Sequence, residues 1–322
     1  MEKRELGNSG IKIAPLAFGA NVFGWTVDEP TGFLLLDAFV DAGFNLIDTA
    51  DVYPRWAPGC QGGESETLIG KWFVRSGRRK DVVLATKVGH DMGGDNKGLA
   101  KAYILRSAED SLRRLRTDHI DLYQSHIDDA GTPLEETLEA YAQLIREGKV
   151  RAIGASNYSA ERLAQALEAS EKNGLPRYES LQPEYSLAER AGYEAALEAL
   201  CRKKKIGVIP YRPLAGGFLT GKYRSEADLE NRARKKTVQK FLNERSLHIV
   251  ESLDEAARRL NSNPARVAIA WLLVQPSVTA PIASATSLAQ LNDLIEATRL
   301  RLDPGIIEQL NQASADASSS QA

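Results

Sequence analysis

The sequence predicts an α/β protein built as a single (β/α)8 barrel domain over residues 1–322, with a β-hairpin at its start. Three observations predict it. Short, nearly unbroken apolar runs alternate with longer segments of helical periodicity, the pattern of parallel strands buried on both faces and covered by helices. A length of 322 residues suits one barrel of roughly 250 residues with additions. Polar residues able to do chemistry recur where the apolar runs end, and parallel closure gathers those ends on one rim.

The elements can be justified in order. Residues 4–13 carry the turn Gly7-Asn8-Ser9-Gly10 between two short extended pieces, which reads as a hairpin able to plug the barrel floor. The first barrel strand is expected near Leu16–Phe18. Further strands follow at Leu46–Asp48, Val82–Lys87, Ile120–Ser125, Val150–Ser156, Ser180–Gln182, Ile206–Tyr211 and Thr279–Ala283. Between them Leu105, Ala108, Leu112 and Leu115 recur at helical spacing, as do Leu134, Leu138, Tyr141 and Ile145, then Tyr193, Leu197 and Leu200. Thr132, Pro133 and Glu135 stand in the order of N-cap, first-turn proline and capping-box acid, and Ser287 with Gln290 repeats that logic. Asn263-Pro264 and Asp303-Pro304 mark two more helix starts, and Gly148 and Gly174 two helix ends. Residues from about 313 to 322, mostly Ser and Ala, have little to bury and are expected to form a disordered tail.

Composition narrows the function. A formal net charge of -2 provides no basic field for nucleic acid or an anionic membrane. The opening residues MEKRELGNSG contain no apolar signal region, and no run approaches the ~20 apolar residues of a membrane span, so a cytoplasmic protein is expected. Cys60 and Cys201 are too few and too far apart for a disulfide framework or a structural zinc site, and Cys201 falls on an apolar helix face as a core residue. Asp128 and Asp129 follow His126, but four histidines without an H-x-H pair are a poor metal set, and no metal is expected.

No G-x-G-x-x-G follows the first strand, which argues against an open dinucleotide-binding sheet. The run Gly216 to Tyr223 comes within one residue of a P-loop but ends in Tyr where magnesium binding needs Ser or Thr. It reads instead as a glycine-rich loop, after the seventh strand, whose backbone can approach a phosphate-bearing ligand. The charged stretch beyond it, through Arg224, Arg232 and Arg234, is either a lid or a solvated loop. At the strand ends stand Asp48, Lys87, His126, Ser156, Asn157, Gln182 and Tyr211. Each alone has a bland reading as a cap, a surface charge or a satisfied histidine; an acid, a cation, an imidazole and amides converging on one rim make an active site. His90, His119 and His248 have no partner spacing and read as structural or exposed. Phe23, Trp25 and Trp56 fall on predicted rim loops as a candidate apolar substrate mouth, with core packing as the alternative.

Six ordered segments resemble the aldo-keto reductase superfamily over essentially the whole chain: NLIDTADVY around Asp48 and Tyr53, ATK at Lys87, DLYQSH at His126, GASN ending at Asn157, QPEYS from Gln182, and PYRPLAGGFLTGKY from Pro210. The resemblance is greatest to bacterial members and to the potassium-channel β-subunit branch. It implies reversible NAD(P)H-dependent reduction of an aldehyde or ketone, with hydride from nicotinamide C4. Tyr53 would be the proton donor, Lys87 would favour its phenolate, Asp48 would hold Lys87, and His126 would orient the carbonyl oxygen. The resemblance also implies that Ser156, Asn157 and Gln182 bind a carboxamide and that Tyr211 underlies the nicotinamide. Arg212, Leu214, Gly216, Leu219, Gly221 and Lys222 would wrap the pyrophosphate, and Ser284, Thr286, Ser287 and Gln290 the adenosine end. Arg212 stands where many members have Ser, Thr286 where many have an Arg that meets the 2'-phosphate, and Leu294 where many have Asn. Hydroxyls at Thr286 and Ser287 leave NADPH the expected cofactor, with NADH the alternative. The implied partner is a small carbonyl compound. The channel branch implies a second possibility, a cofactor-holding redox-sensing or interaction subunit with little turnover; the lack of a long amino-terminal extension favours the enzyme.

Overall fold

The computed structural model describes residues 2–315. Two antiparallel strands, β1 (Arg4–Glu5) and β2 (Lys12–Ile13), form the opening hairpin. Gly7 lies so close to Glu179 that a Cβ would sit 2.2 Å from its carbonyl oxygen, and its φ of 61° suits glycine. The barrel then alternates β3 (Ala17–Gly19), α1 (Glu29–Asp41), β4 (Leu46–Asp48), α2 (Glu64–Ser76), β5 (Val83–Val88), α3 (Lys101–Leu115), β6 (Ile120–Ser125), α4 (Leu134–Arg146), β7 (Val150–Ser156), α5 (Ala160–Asn173) and β8 (Tyr178–Gln182). Short helices α6 (Ala191–Glu194) and α7 (Leu197–Lys204) lead to β9 (Gly207–Val208). After the glycine-rich turn Ala215–Thr220 come α8 (Lys235–Gln239), α9 (Glu244–Arg259), α10 (Pro264–Leu273), β10 (Ile282–Ala283), α11 (Leu288–Ala297) and α12 (Pro304–Ser314).

Eight strands lie in the order β10-β3-β4-β5-β6-β7-β8-β9, every neighbouring pair parallel. The ring closes where Thr279 N donates to Val208 O at 2.8 Å and Ile282 N to Pro210 O at 2.8 Å. Pro210 and Pro281 flank this seam and have no N–H to give, which keeps β9 and β10 to two residues each. Inside the ring Ala17, Leu46, Val83, Ala85, Leu122, Ala152, Ile209 and Ala280 meet Leu6, Ile11 and Ile13 of the hairpin, so the floor is plugged by apolar packing. Two larger apolar layers fill the space between strands and helices, and the predicted stripe Leu134, Leu138 and Tyr141 is buried in one of them. Among the described residues no helix is long and apolar enough to cross a membrane.

Most local signals translate, although the stripe Tyr193, Leu197 and Leu200 is divided between α6 and α7. Asn263 and Asp303 accept from Arg266 N and Ile306 N with proline at the first helical position, and Ser287 accepts from Gln290 N. Gly174 ends α5 in the left-handed region at φ 63°. Thr132, however, does not cap α4: its hydroxyl donates to Asp129 Oδ2 at 2.7 Å, and Pro133 takes the cap position. An acceptor three residues upstream outcompetes the helix end for that hydroxyl. The last helix runs to Ser314, which is buried and accepts from Arg190 Nη1 at 2.8 Å, so residues 313–314 of the expected tail are helical. Residues 316–322 of that tail lie outside the described residues.

Candidate active site

The C-terminal ends of the strands bring Asp48, Lys87, His126, Ser156 and Gln182 together, all of them buried. Lys87 is wholly removed from solvent, which is tolerable only because its three donors meet three acceptors: Asp48 Oδ2 at 2.6 Å, Thr49 O at 2.8 Å and Tyr53 Oη at 3.2 Å. Burial disfavours the ammonium, but the Asp48 charge, with the hydrogen bonds to Asp48 and Tyr53, outweighs it and raises the Lys87 pKa above its ordinary value. Asp48 is held from the other side, where its Oδ1 accepts from Gln182 Nε2 at 2.9 Å and from Gln124 Nε2 at 3.2 Å. The Gln182 amide nitrogen is therefore directed at the acid beneath the rim.

Tyr53 stands on the loop between β4 and α2, which is tied down by Asp51 N donating to Lys87 O and by Gly63 N and Ser65 N donating to Tyr53 O. Burial raises the phenol pKa, and the opposing pull of Lys87 does not cancel it. Tyr53 is thus a protonated hydroxyl at neutral pH that already touches a fixed cation. His126 follows β6, with its ring 5.6 Å from the Tyr53 ring in an edge-on arrangement. Burial, then Lys87 and His90, hold its pKa well below the usual imidazole value, so the ring is neutral, and its Nδ1 has no partner among the described residues.

Asn157, in the left-handed region at φ 58°, donates through Nδ2 to His126 O at 2.9 Å and to Ser156 Oγ at 3.1 Å, while Tyr211 Oη donates to its Oδ1 at 2.8 Å. Ser156 Oγ donates to Gln182 O at 2.9 Å. These bonds lock one wall of the site beside His126. The glycine-rich segment turns through left-handed conformations at Gly216 (φ 72°), Gly217 (φ 104°) and Gly221 (φ 79°), leaving its backbone open to a close ligand. Leu219 is fully buried, so its side chain belongs to the core; Leu214 is half-buried, and Lys222 is exposed on the same segment. Arg212 pairs with Glu184 at 3.2 Å. On the far side Ser284 Oγ donates to Asn21 Oδ1 at 2.6 Å, and Gln290 Oε1 accepts from both Thr286 N and Thr286 Oγ1. Leu294 packs in the core.

Trp25 and Trp56 join Tyr53 in a chain of edge contacts, with ring centroids 5.9 Å and 5.4 Å apart, and form an aromatic wall at the mouth. Phe23 does not belong to it. Its ring is fully buried and stacks on Phe18 at 5.4 Å, because the turn after β3 tucks it beneath α1. The bland alternative for that residue is the correct one.

Asp51 escapes the sequence reading, and His90 is read there only as structural or exposed. His90 lies 4.1 Å from His126, ring edge to face. The strand-end rule applied to His126 would have found it, three residues beyond Lys87 on the loop after β5. Asp51, buried beneath the Tyr53 loop, faces Glu66 and Arg114 and has an Oδ1 without a partner among the described residues. Burial and the Glu66 charge push its pKa up to about 8. Glu66 itself accepts from Thr86 Oγ1 at 2.6 Å and Arg114 Nε at 2.7 Å. Elsewhere, His119 pairs with Asp118 and His248 is exposed beside Glu251. Cys201 is buried core, and no three His, Cys, Asp or Glu among the described residues converge as a metal site.

A tyrosine bonded to a buried ammonium, beside a neutral imidazole at the C-terminal mouth of a parallel barrel, places the chain in the class of (β/α)8-barrel oxidoreductases acting at a carbonyl oxygen. The sequence comparisons agree with this class. Residues 15–315 match the model of the aldo/keto reductase family, and the chain belongs to that family. It is 38% identical to uncharacterized oxidoreductase YrpG of Bacillus subtilis (strain 168), over 97% of this chain and 95% of that one. It is 33% identical to aldo-keto reductase YhdN of the same organism, covering 92% and 89%. A probable voltage-gated potassium channel subunit beta of Arabidopsis thaliana is also 33% identical, covering 97% and 96%.

Proposed function

We propose that this chain is a single-domain enzyme that reduces an aldehyde or ketone to an alcohol, reversibly, with NADPH as its preferred reductant and Tyr53 as its proton donor. The observation that carries the reading is the Lys87 ammonium, fixed by Asp48 at 2.6 Å and reaching Tyr53 Oη at 3.2 Å. A bound nicotinamide dinucleotide would supply a hydride to the carbonyl carbon. Tyr53 Oη gives its proton to the carbonyl oxygen, and Lys87 stabilises the phenolate left behind. Asp48 keeps the ammonium charged and in place, with Gln182 and Gln124 keeping Asp48 in place. The neutral His126 ring offers an N–H to the same oxygen, where negative charge develops during the reaction.

The residues present fit such a cofactor. Left-handed glycines at 216, 217 and 221 leave room for a pyrophosphate, with Arg212, Leu214, Leu219 and Lys222 on the same segment, and Lys222 an exposed cation there. Tyr211 with Ser156, Asn157 and Gln182 supports the nicotinamide end, and Ser284, Thr286, Ser287 and Gln290 the adenosine end. Hydroxyls at Thr286 and Ser287 favour NADPH: Ser287 Oγ accepts from Gln290 N and keeps its proton for a 2'-phosphate, and Thr286 Oγ1 can exchange Gln290 Oε1 for the same phosphate.

The test is loss of absorbance at the reduced nicotinamide band with NADPH or NADH and a panel of aldehydes, ketones and quinones. Tyr53→Phe should retain cofactor binding and lose about 10²- to 10⁴-fold in turnover. Tight cofactor binding with negligible wild-type turnover across the panel would favour a redox-sensing subunit instead, a reading to which the channel-subunit relative lends support.

A further inference from the structure

We propose that His90 is a positioning residue for His126: packed against the His126 ring, it fixes the plane and the tautomer from which that ring donates to the carbonyl oxygen. The inference rests on the reductase reading above and deepens it. An imidazole that must donate from one nitrogen is ordinarily set by a hydrogen bond at the other, to a backbone carbonyl or a carboxylate. His126 has no such bond, since its buried Nδ1 is without a partner among the described residues. Two rings stand against it instead, Tyr53 at 5.6 Å and 77° and, much closer, His90 at 4.1 Å and 86°. In an edge-on contact the hydrogen-bearing edge of one ring meets the electron-rich face of the other. A nitrogen presenting its lone pair to that face is repelled and an N–H is attracted, so the contact selects a tautomer as well as an orientation.

His90 is itself held in place. Its loop leaves β5 at Gly89, where a φ of 122° and the approach of Leu99, 3.0 Å from the position of a Cβ, suit glycine, and it closes with Gly98 N donating to Gly89 O at 3.0 Å. The loop that begins with His126 is bonded to it at two points: His126 N donates to Val88 O at 2.8 Å, and Asp129 Oδ2 accepts from Leu99 N at 2.8 Å. The loop after β5 also lays Met92 against Gly62 of the Tyr53 loop, where a Cβ would lie 2.6 Å from Met92 Cε. One tied loop therefore bears on both groups that meet the carbonyl oxygen, and His90 is the part of it that reaches a ring. The half-buried His90 also helps to enclose His126, whose pKa is lowered first by burial and then by Lys87 and His90; Tyr53, the remaining titratable group against the ring, is a neutral phenol.

The test compares wild type, His90→Ala and His90→Phe, each labelled with 15N and with NADP added, by long-range 1H–15N spectra of the imidazoles; His126→Gln identifies the His126 signals. At pH 8 the two ring nitrogens of His126 should resonate far apart in wild type, as one tautomer requires, and move toward one another in His90→Ala. On acidification the His126 titration midpoint, well below the ordinary value of about 6.5 in wild type, should move up toward it in His90→Ala as water reaches the ring. Turnover of an aldehyde at neutral pH should fall about 10- to 100-fold in kcat, with KM little changed, the effect of a misaligned donor. His90→Phe, which keeps a ring without the imidazole, should recover most of the kcat loss and hold the midpoint low. Averaged His126 nitrogens in wild type, an unchanged tautomer and midpoint in His90→Ala, or a loss confined to KM overturns the proposal, and so does a His90→Phe as impaired as His90→Ala. If wild type turns over no carbonyl compound, the reductase reading fails on its own, and the spectra, which need no turnover, still decide whether His90 sets the His126 ring.

Discussion

Asp51, on the loop after β4, and Lys87, on β5, show how differently two buried ionisable groups can be handled at one rim. Lys87 keeps its charge because every donor has an acceptor, whereas Asp51 has an oxygen unpartnered among the described residues, Glu66 as an acidic neighbour and a pKa pushed up to about 8. The unfolded value for an aspartate is about 3.9, so between that pH and about 8 the folded chain holds one proton more than the unfolded chain. The stability associated with neutral Asp51 is therefore complete at low pH and is lost as the pH rises through 8. Asp51→Asn, which stays uncharged, should escape that loss. The melting temperature of the variant relative to wild type, followed by calorimetry, should climb from pH 4 to pH 8 and then level off; a flat difference would mean that Asp51 is ionised in the folded protein throughout. Asp48, Tyr53, Lys87 and His126 were legible in the sequence because strand ends and ordered motifs mark them. Asp51 was not, because its chemistry comes from Glu66 and Arg114 on two different helices, whereas His90 also follows a strand end and went unassigned only because its partner, His126, comes from the next strand.

Among the elements, the glycine-rich segment after β9 depends most directly on backbone conformation. At Gly216 a φ of 72° coincides with a tight fit, since a Cβ would lie 2.9 Å from Thr237 Cγ2 on α8. Gly216→Ala should therefore incur a left-handed penalty of about 1–2 kcal/mol together with displacement of α8. The expected outcome is NADPH affinity weakened by roughly tenfold in a fluorescence titration, the equivalent of about 1.4 kcal/mol. Helix starts at Asn263, Ser287 and Asp303 were readable because each cap bonds within its own first turn. Thr132 misled because Asp129, outside the helix, claims its hydroxyl. The mouth was half legible for a related reason: periodicity placed Phe23, Trp25 and Trp56 on rim loops, but only packing decides that Phe23 turns inward.

Over the whole molecule, serial βα units dictated the barrel, and the apolar hairpin residues Leu6, Ile11 and Ile13 dictated its closed floor. The sequence could not display how the ring shuts, since that depends on residues about 70 positions apart, Val208 and Pro210 on one side and Thr279 and Ile282 on the other. Beside the prolines this join has only an isolated parallel bridge, Val208 with Val278, where the other neighbouring strands form ladders. Each edge of the join also runs on into one half of the proposed cofactor site: β9 into the glycine-rich segment, β10 into Ser284 and Gln290. A dinucleotide gripping both would act as a clasp on an otherwise weakly fastened hoop. Amide hydrogen exchange at Thr279 and Ile282 should then slow on adding NADP, while amides in β6 and β7, far round the hoop, should barely respond. The coenzyme would be a structural fastener as well as a reactant, and the empty enzyme would breathe along one line.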